Sequence, residues 1–255
     1  MKLNVCLAVT SIFATLGFTV LAAAPVPAYV SAAIADKNRP PEDASRDAAR
    51  KPADMLVFAG IKPGDKVVDL IPGKGYFTRI FAKAVGSKGH VYAYFPSEID
   101  SMLKGKEPSV TAVTKDTANY PNVSLIHAPV MKFSTPEPVD VVWTSQNYHD
   151  MHDSFFGPAD LSVVNKAIYN ALKPGGTYVV LDHVAEPGSG LRDTNTLHRI
   201  DPAAVKQEVT AAGFEYVGED DVLRNASDPH KANVFDASIR GKTDQFIFKF
   251  RKPLR

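Results

Sequence analysis

A short apolar run that ends in a glycine turn, VVDLIPGKGYFT at residues 67–78, places narrow limits on how this chain can fold. Residues 67–70 are typical of a buried strand, and the apolar side chains at 76–84 recur at helical spacing. Gly73 and Gly75 permit a sharp turn and leave no side chain between the backbone and a ligand. The free N–H groups that open the helix would point toward an anionic group. The segment is therefore predicted to be a strand, a ligand-binding turn and a helix start; a turn without a ligand is the alternative.

The spacing of the two glycines argues against the common nucleotide-binding loops. A dinucleotide fingerprint requires Gly-x-Gly-x-x-Gly, and Thr78 stands at the third glycine position. A P-loop requires Gly-Lys-Ser/Thr after a four-residue spacer, which this chain lacks. Pyrophosphate binding at this turn is therefore disfavoured.

Strand and helix patterns alternate along the rest of the chain. Strands are expected at residues 67–70, 90–95, 124–128, 139–144, 177–184, 214–219 and 246–251. Helices are expected at residues 75–85, 97–104, 109–118, 158–172 and 202–212. Because crossover helices must cover both faces of a parallel sheet, we predict a single α/β domain, Rossmann-like and doubly wound. Its seven-stranded sheet would be mostly parallel and end in an antiparallel strand pair, with a long polar loop at 220–244 between the last two strands.

The apolar stretch at residues 5–24 is typical of an export signal. Ala33-Ile34-Ala35 offers a cleavage site, giving a signal peptide at 1–35, although the stretch is also long enough for an uncleaved anchor. A helical segment at 36–66 would lead into the domain at 67–255. The expected location is outside the cytoplasm, in the periplasm, with no membrane contact beyond such an anchor.

Charge and cysteine content exclude some functions. The chain has 29 Lys and Arg against 28 Asp and Glu, so electrostatics give no reason to expect nucleic acid as a partner. Its one cysteine, Cys6, lies in the signal segment, so a mature domain has no thiolate nucleophile. A small-molecule substrate is the expected partner, and the sequence does not fix the oligomeric state.

The densest polar cluster, SQNYHDMHD at residues 145–153, follows the fourth expected strand. Ligands of open α/β sheets bind beyond the carboxyl ends of the strands, so these residues are candidates for a site. His149 can titrate near neutral pH and Asp150 could orient it. In one alternative Asn147 and Asp150 cap a helix; in another, His149 and His152 bind zinc or manganese with the neighbouring aspartates.

Two further candidate positions come later in the chain. His183 ends the fifth strand, which would place it near the same cleft, with a buried core histidine as the alternative. His198 and Arg199 precede a helix in which Asp201 is the cap and Pro202 the first residue. Arg199 could clamp an anionic substrate there; a surface position is the alternative for this pair.

Together these motifs resemble the class I S-adenosylmethionine-dependent methyltransferases across about residues 52–252. The shared motifs are the turn at 69–76, Leu-Lys-Pro-Gly-Gly at 172–176, Ala-Ala-Gly-Phe at 211–214 and the final strand pair. A group of exported, predicted methyltransferases is similar in more detail. Those similarities lie at Arg46-Asp47, Arg50, Pro52, residues 72–76, 147–150, Asp182-His183 and 248–253.

The resemblance implies methyl transfer from S-adenosylmethionine to a small-molecule acceptor. The residues implied for the cofactor are Asp69, Gly73, Gly75, Tyr76 and Phe95, the last as a stacking or core residue. For the acceptor the resemblance implies Asn147, Tyr148, His149 and Asp150. With the candidates drawn from chain position, the expected binding residues are Asn147, Tyr148, His198 and Arg199, and the expected catalytic residues are His149, Asp150 and His183.

The chain departs from the family pattern at the cofactor site. Ile71 stands where the first motif glycine is usual, and Phe95 stands where an acid usually holds the ribose hydroxyls. A ligand-binding protein that keeps the fold without catalysis is therefore one alternative function. A metal-dependent enzyme built on His149 and His152 is another.

Overall fold

A seven-stranded sheet forms the centre of the protein, in a computed structural model that describes residues 25–255. Its strands are β1 Lys66–Leu70, β2 His90–Pro96, β3 Val123–Ala128, β4 Val139–Ser145, β5 Leu172–His183, β6 Glu215–Asp220 and β7 Gln245–Arg251. They lie in the order β3-β2-β1-β4-β5-β7-β6. Strands β1 to β5 are parallel, and β7 runs antiparallel to both β5 and β6. The predicted doubly wound α/β fold with a closing antiparallel pair is confirmed.

Short helices join these strands. They are α1 Ala28–Ile34, α2 Pro41–Ala44, α3 Asp47–Arg50, α4 Pro52–Ala59, α5 Tyr76–Val85, α6 Asp100–Leu103, α7 Thr111–Lys115, α8 Leu161–Ala171, α9 Thr194–Leu197 and α10 Pro202–Ala211. Two apolar clusters cover the two faces of the sheet, as parallel strands require. None of the helices in residues 25–255 combines the length and the apolar character needed to span a bilayer.

The central position of β1 explains its apolar sequence. It pairs with β2 on one side and β4 on the other, so Val67, Val68 and Leu70 are fully buried. The next helix, α5, packs Phe77 and Phe81 against Trp143 of β4, with ring centroids 4.8 and 5.6 Å apart. The order of the parallel strands runs outward from β1 in one direction and from β4 in the other, so the topological switch point lies between β1 and β4. Open α/β sheets bind their ligands at this point.

Strand β5 begins earlier than the sequence predicted. Residues 173–176 do not separate a helix from a strand that starts at 177; instead, Leu172 already pairs with Val139, and Thr177 pairs with Val141. The residues between these pairs form a bulge. Gly175 permits it because its φ is +79°, in the left-handed region.

The N-terminal segment is part of the folded domain. Helix α1 packs on α5 and α4, and its Val30 and Ala33 are buried. The Tyr29 hydroxyl donates a hydrogen bond of 2.9 Å to the carbonyl of Ile61. Cleavage after Ala35 would therefore remove a helix that contributes to the core. The remainder of the predicted signal, residues 1–24, lies outside the described residues.

Candidate active site

A cavity of about 780 Å³ opens where β1, β4 and β5 end. Its walls come from the turn after β1, the turn after β4, the end of β5 and the segment around α3. The long loop at 221–244, which contains no helix or strand, closes one side with Val234 and Phe235. The volume is within the range of ordinary small-molecule sites.

The turn after β1 lines the cavity with residues 71–74. The Ile71 backbone has φ +58°, although a β-branched side chain strongly disfavours the left-handed region. Its N–H donates to the carbonyl of Tyr94 at 2.9 Å, which holds this conformation. Gly73 also has φ +58°, and a Cβ placed there would meet no atom within 4 Å. The backbone of Gly73 is therefore open to a ligand.

The turn after β4 is connected to the first turn. Gln146 has φ +62°, and its N–H donates to the carbonyl of Leu181 at 2.7 Å. The Asn147 amide donates to the carbonyl of Ile71 at 3.1 Å and to that of Ser145 at 2.6 Å. Together with His198 at φ +54°, three strained non-glycine residues line one cavity. Such strain is concentrated at functional sites in proteins.

His149 is held by two carboxylates. Its Nδ1 lies 2.8 Å from Oδ1 of Asp182, and its backbone N–H donates to Oδ2 of the same side chain at 2.9 Å. Its other ring nitrogen, Nε2, lies 3.1 Å from Oδ1 of Asp150. Burial by itself lowers the pKa of His149, but the charges of Asp182 and Asp150 outweigh this and raise it to about 10. The two carboxylates therefore favour positive charge at the His149 ring.

His183 differs from its neighbour. It lines the same cavity, and its ring centroid lies 6.2 Å from that of His149. Nδ1 is 2.8 Å from the hydroxyl of Thr243, and no hydrogen bond joins Nε2 to another described residue. Burial lowers the pKa of His183 to about 4, because the buried charged form loses its hydration. This ring is neutral at pH 7 and can accept a proton.

His198, Asp150 and Asp153 complete a compact group around His149. Nδ1 of His198 lies 3.3 Å from Nε2 of His149, 3.6 Å from Oδ1 of Asp150 and 4.0 Å from Oδ2 of Asp153. One ligand atom from each of the four residues lies within 4.8 Å of the other three. Two imidazoles and two carboxylates are a ligand set suited to a divalent transition metal.

Two arginines give part of the cavity wall a positive charge. Arg46 and Arg50 line the cavity, and neither forms a salt bridge with a carboxylate of the described residues. Arg50 donates to Oε1 of Gln146 at 3.0 Å, and its guanidinium lies 4.8 Å from the centre of the Tyr76 ring. Burial, followed by the charge of Arg46, lowers the pKa of Arg50 to about 10. This wall suits an anionic group of a ligand.

The rest of the cavity is apolar. Its apolar lining residues are Ile99, Met102, Phe155, Phe156 and Phe235. Met102 and Phe235 are each 60% exposed, so they present apolar surface to the cavity and the solvent. A ligand with an apolar body would cover them.

Comparison with known proteins identifies the fold. No protein-family model matches the chain. The chain is similar to the ubiquinone/menaquinone biosynthesis C-methyltransferase UbiE of Yersinia enterocolitica, with 26% identity over 192 residues, 72% of this chain and 70% of that protein. Its structure is similar to a SAM dependent methyltransferase from Aquifex aeolicus, with a TM-score of 0.57, 19% identity and coverage of 81% and 92% of the two chains. The chain has the class I methyltransferase fold.

A second solved structure with the methyltransferase fold contains ligands. It is the 1,6-didemethyltoxoflavin-N1-methyltransferase of Burkholderia thailandensis, with bound 1,6-didemethyltoxoflavin and S-adenosylhomocysteine. The TM-score is 0.53 with 17% identity, and the alignment covers 82% of this chain and 80% of that one. At 17% identity, this second similarity is evidence for the fold alone.

The structure brings seven of the residues predicted from sequence to the cavity. They are Gly73, Tyr76, Asn147, His149, Asp150, His183 and His198. The alternative in which Asn147 and Asp150 cap a helix is wrong, because neither side chain caps one and Asn147 instead joins the two turns. The expected cap at Asp201 is confirmed, since Oδ1 accepts the N–H of Ala203 at 2.9 Å.

Three residues predicted for the cofactor do not line the cavity. Asp69 is buried and accepts a hydrogen bond of 2.6 Å from the Thr78 hydroxyl, so it fixes the start of α5. Gly75 faces α7, and a Cβ there would lie 2.6 Å from Cγ2 of Val113. Phe95 is buried against the edge of the His127 ring, which supports the core alternative over stacking on a ligand.

Three residues predicted for the acceptor or a metal also point elsewhere. Tyr148 is fully buried, and its hydroxyl donates to Glu208 at 2.8 Å. Arg199 is fully buried in an ion pair with Asp228, with nitrogen and oxygen atoms 2.8 Å apart, so it is not a substrate clamp. His152 faces Glu208 at 3.3 Å and does not join the group around His149.

Sequence reasoning gave no role to several residues of the site. Arg46, Arg50 and Asp182 appeared only as parts of motifs, and Gln146 was not singled out. Arg50 and Gln146 are 96 positions apart, so their contact leaves no local signal. Asp182 lies at the carboxyl end of a strand, and this position in the sequence is a signal that predicts a place near the ligand site.

Proposed function

We propose that this protein transfers a methyl group from S-adenosylmethionine to a small-molecule acceptor held in the cavity. The observation that carries the proposal is the open backbone of Gly73, in the turn that the methyltransferase fold places at the carboxyl end of β1. The sequence similarity to a C-methyltransferase supports the reaction class. The named cofactor of the structural relatives supports the methyl donor.

The residues at the turn fit the methionine end of the donor. Gly73 leaves room for it, and Arg46 and Arg50 supply positive charge for its carboxylate. The ribose end finds no free acid after β2, because both oxygens of Glu98 accept the N–H of Val130, at 2.9 and 3.1 Å. Ile99 and Met102, which line the cavity, would offer that end apolar contacts instead.

The donor, when bound, supplies an electrophilic methyl group on a sulfonium. The protein then has to orient the acceptor and remove its proton, since positioning provides most of the rate in such a transfer. We assign proton removal to His183, because its ring has a free Nε2 at the cavity wall. Its pKa of about 4 makes it a weak base, so it suits a proton that becomes acidic as the acceptor takes up the methyl group. Asn147, Asp150 and His198 border the same space and would orient the acceptor.

The apolar side of the cavity indicates the kind of acceptor. Met102, Phe155 and Phe235 offer a surface for an apolar ring or chain. The similar C-methyltransferase is named for ubiquinone and menaquinone biosynthesis, and an acceptor with an apolar body agrees with this wall. We therefore propose an apolar acceptor whose reactive atom carries a proton.

Calorimetry with S-adenosylmethionine and S-adenosylhomocysteine tests the proposal first. Binding should saturate at one equivalent, and a screen of metabolite mixtures should give a product heavier by the mass of one CH₂. The variant His183→Asn, which keeps a hydrogen-bonding group for Thr243, should bind S-adenosylhomocysteine normally and lose turnover. The matched variant His152→Asn should behave like the unmodified protein.

Two outcomes would reject parts of this function. Absence of any heat or thermal shift at millimolar cofactor would exclude the methyl donor. Cofactor binding without any methylated product would favour the ligand-binding alternative, which the missing ribose acid at Phe95 makes a specific competitor.

We also propose that the protein is exported and that the signal is cut before α1. The buried Val30 and Ala33 support a cut upstream of Ala28, because a later cut would expose their binding site on α5. Sequencing the N-terminus of protein recovered from the periplasm tests this. A mature protein that starts at Asp36 would contradict the proposed cut, and recovery only from the cytoplasm would contradict export.

A further inference from the structure

We propose that His149, Asp150, Asp153 and His198 form a binding site for one divalent transition-metal ion, with zinc as the first candidate. The four distances already given between these ligand atoms are 3.1, 3.3, 3.6 and 4.0 Å. A tetrahedral zinc site with bonds of about 2.0–2.1 Å places its ligand atoms about 3.3 Å apart. These four distances range around that value and the other two are within 4.8 Å, so modest side-chain movement would bring all four ligand atoms to one ion.

Asp153 provides a second, independent observation. Its side chain is fully buried, and neither carboxylate oxygen has a hydrogen-bond partner among the described residues. A buried carboxylate without partners costs several kcal/mol, so proteins rarely keep one without a counter-ion. Its Oδ2 faces Nδ1 of His198, at the centre of the group. A metal ion there would give this carboxylate the partner it lacks.

The hydrogen bonds of His149 leave the correct nitrogen for a metal. Nδ1 lies against Asp182, which leaves Nε2 as the ring nitrogen that faces the group, 3.1 Å from Oδ1 of Asp150 and 3.3 Å from Nδ1 of His198. One proton would satisfy only one of the contacts, whereas a metal ion satisfies all four ligands.

Asp182 has the position of a supporting partner. A carboxylate that accepts the second N–H of a ligating histidine fixes the ring and makes it a better ligand. Asp182 does this and also accepts the backbone N–H of His149 at 2.9 Å. His152, which the sequence suggested as a ligand, lies outside the group against Glu208.

Three of the four ligands, His149, Asp150 and His198, also line the cavity. An ion held by them would border the cavity, and it could bind an oxygen atom of a molecule there as a Lewis acid if its coordination expanded from four ligands to five. This consequence for the acceptor rests on the proposed methyl transfer. The metal site itself does not, because its ligands and its binding measurement are independent of S-adenosylmethionine.

Metal content tests the proposal directly. The whole protein, purified without a histidine tag, should contain close to one equivalent of zinc or another first-row metal. After treatment with a chelator, calorimetry with Zn²⁺ should show one site, and Co²⁺ should give the intense visible bands of a tetrahedral complex. The variant His198→Gly, which suits the left-handed backbone at this position, should weaken Zn²⁺ binding at least 100-fold.

Asp153→Asn separates a ligand from a structural residue. Removal of an unpaired buried charge should raise the melting temperature of the metal-free variant by about 2–4 °C, while stabilisation by Zn²⁺ is lost. A structural role predicts the opposite sign for the metal-free protein. The matched control His152→Gln should bind Zn²⁺ with unchanged affinity.

The proposal would be overturned by protein that neither contains metal nor binds Zn²⁺ or Co²⁺ at micromolar concentration. It would also be overturned if His152→Gln abolished binding and His198→Gly did not. Failure of the methyltransferase assay would leave the metal result unaffected, so the two proposals can fail separately.

Discussion

The imidazole Nδ1 of His149 lies 2.8 Å from Oδ1 of Asp182; both side chains are buried, and of the two only His149 lines the cavity. His149 is in the turn after β4 and Asp182 ends β5, so two neighbouring strands fix one ring. Since Oδ2 of Asp182 also accepts the backbone N–H of His149, the carboxylate holds both the ring and the turn. The orientation of Nε2 therefore depends on one residue outside the cavity wall.

Asp182→Asn should consequently destabilise the fold. Loss of one partner from a buried ion pair costs about 3–5 kcal/mol, because the other charge is left without compensation. Urea denaturation at pH 7 measures this difference in unfolding free energy. Asp150→Asn is the matched control and should cost only about 1 kcal/mol, since Asp150 is partly exposed to the cavity. Equal losses in the two variants would contradict the assigned difference.

Arg50→Met should weaken binding of S-adenosylhomocysteine by about 10- to 150-fold, the loss of one charge-assisted hydrogen bond. The protein itself should remain as stable as before, because Arg50 forms no ion pair within residues 25–255 and its burial lowers its pKa to about 10. Calorimetry gives the affinity and thermal unfolding gives the stability. The control Lys88→Met, at an exposed position, should change neither. An unchanged affinity in Arg50→Met would remove the assigned role.

The sequence predicted the fold well because local patterns determine it. The buried run at 67–70, the glycine turn and the amphipathic α5 follow from periodicity and backbone sterics alone. The strand order also follows, since alternating strands and helices admit few topologies. These features need no knowledge of contacts between distant residues.

The site was predicted only in part, because side-chain direction depends on such contacts. Tyr148 and His149 are neighbours in sequence, yet one faces Glu208 on α10 and the other faces the cavity. Arg199 is buried because Asp228, 29 positions later, forms an ion pair with it. No local pattern distinguishes such a residue from a surface clamp.

The backbone strain at Ile71 can be tested by comparing a glycine variant with an alanine variant, each of which serves as the control for the other. Ile71→Gly and Ile71→Ala remove nearly the same side chain from the cavity wall, but only glycine adopts φ +58° without cost. The glycine variant should be more stable than the alanine variant by about 1–2 kcal/mol. Urea denaturation of the two variants measures this difference. A more stable alanine variant would show that the turn relaxes and holds no strain.

Asp69 should give the protein a stability that decreases with rising pH. Burial raises the pKa of this carboxyl to about 7 from its ordinary 3.8, and the Thr78 hydrogen bond only partly opposes the effect. Between these two values the folded state holds one proton more than the unfolded state. The free energy of unfolding contributed by this group is therefore highest below about pH 4 and falls until about pH 7.

Asp69→Asn should remove that dependence while keeping an oxygen acceptor for the Thr78 hydroxyl. The stability of the variant relative to the unmodified protein should increase between about pH 4 and pH 7, by up to about 4 kcal/mol, and then stay constant. Urea denaturation at pH 4.5, 6 and 8 would follow the difference. Asp54→Asn, an exposed change on α4, serves as the control and should show no such increase. If the difference in unfolding free energy between Asp69→Asn and the unmodified protein did not change with pH, the Asp69 carboxylate would stay ionised in the folded protein. The nearby charge of Arg50 would then be what stabilises it.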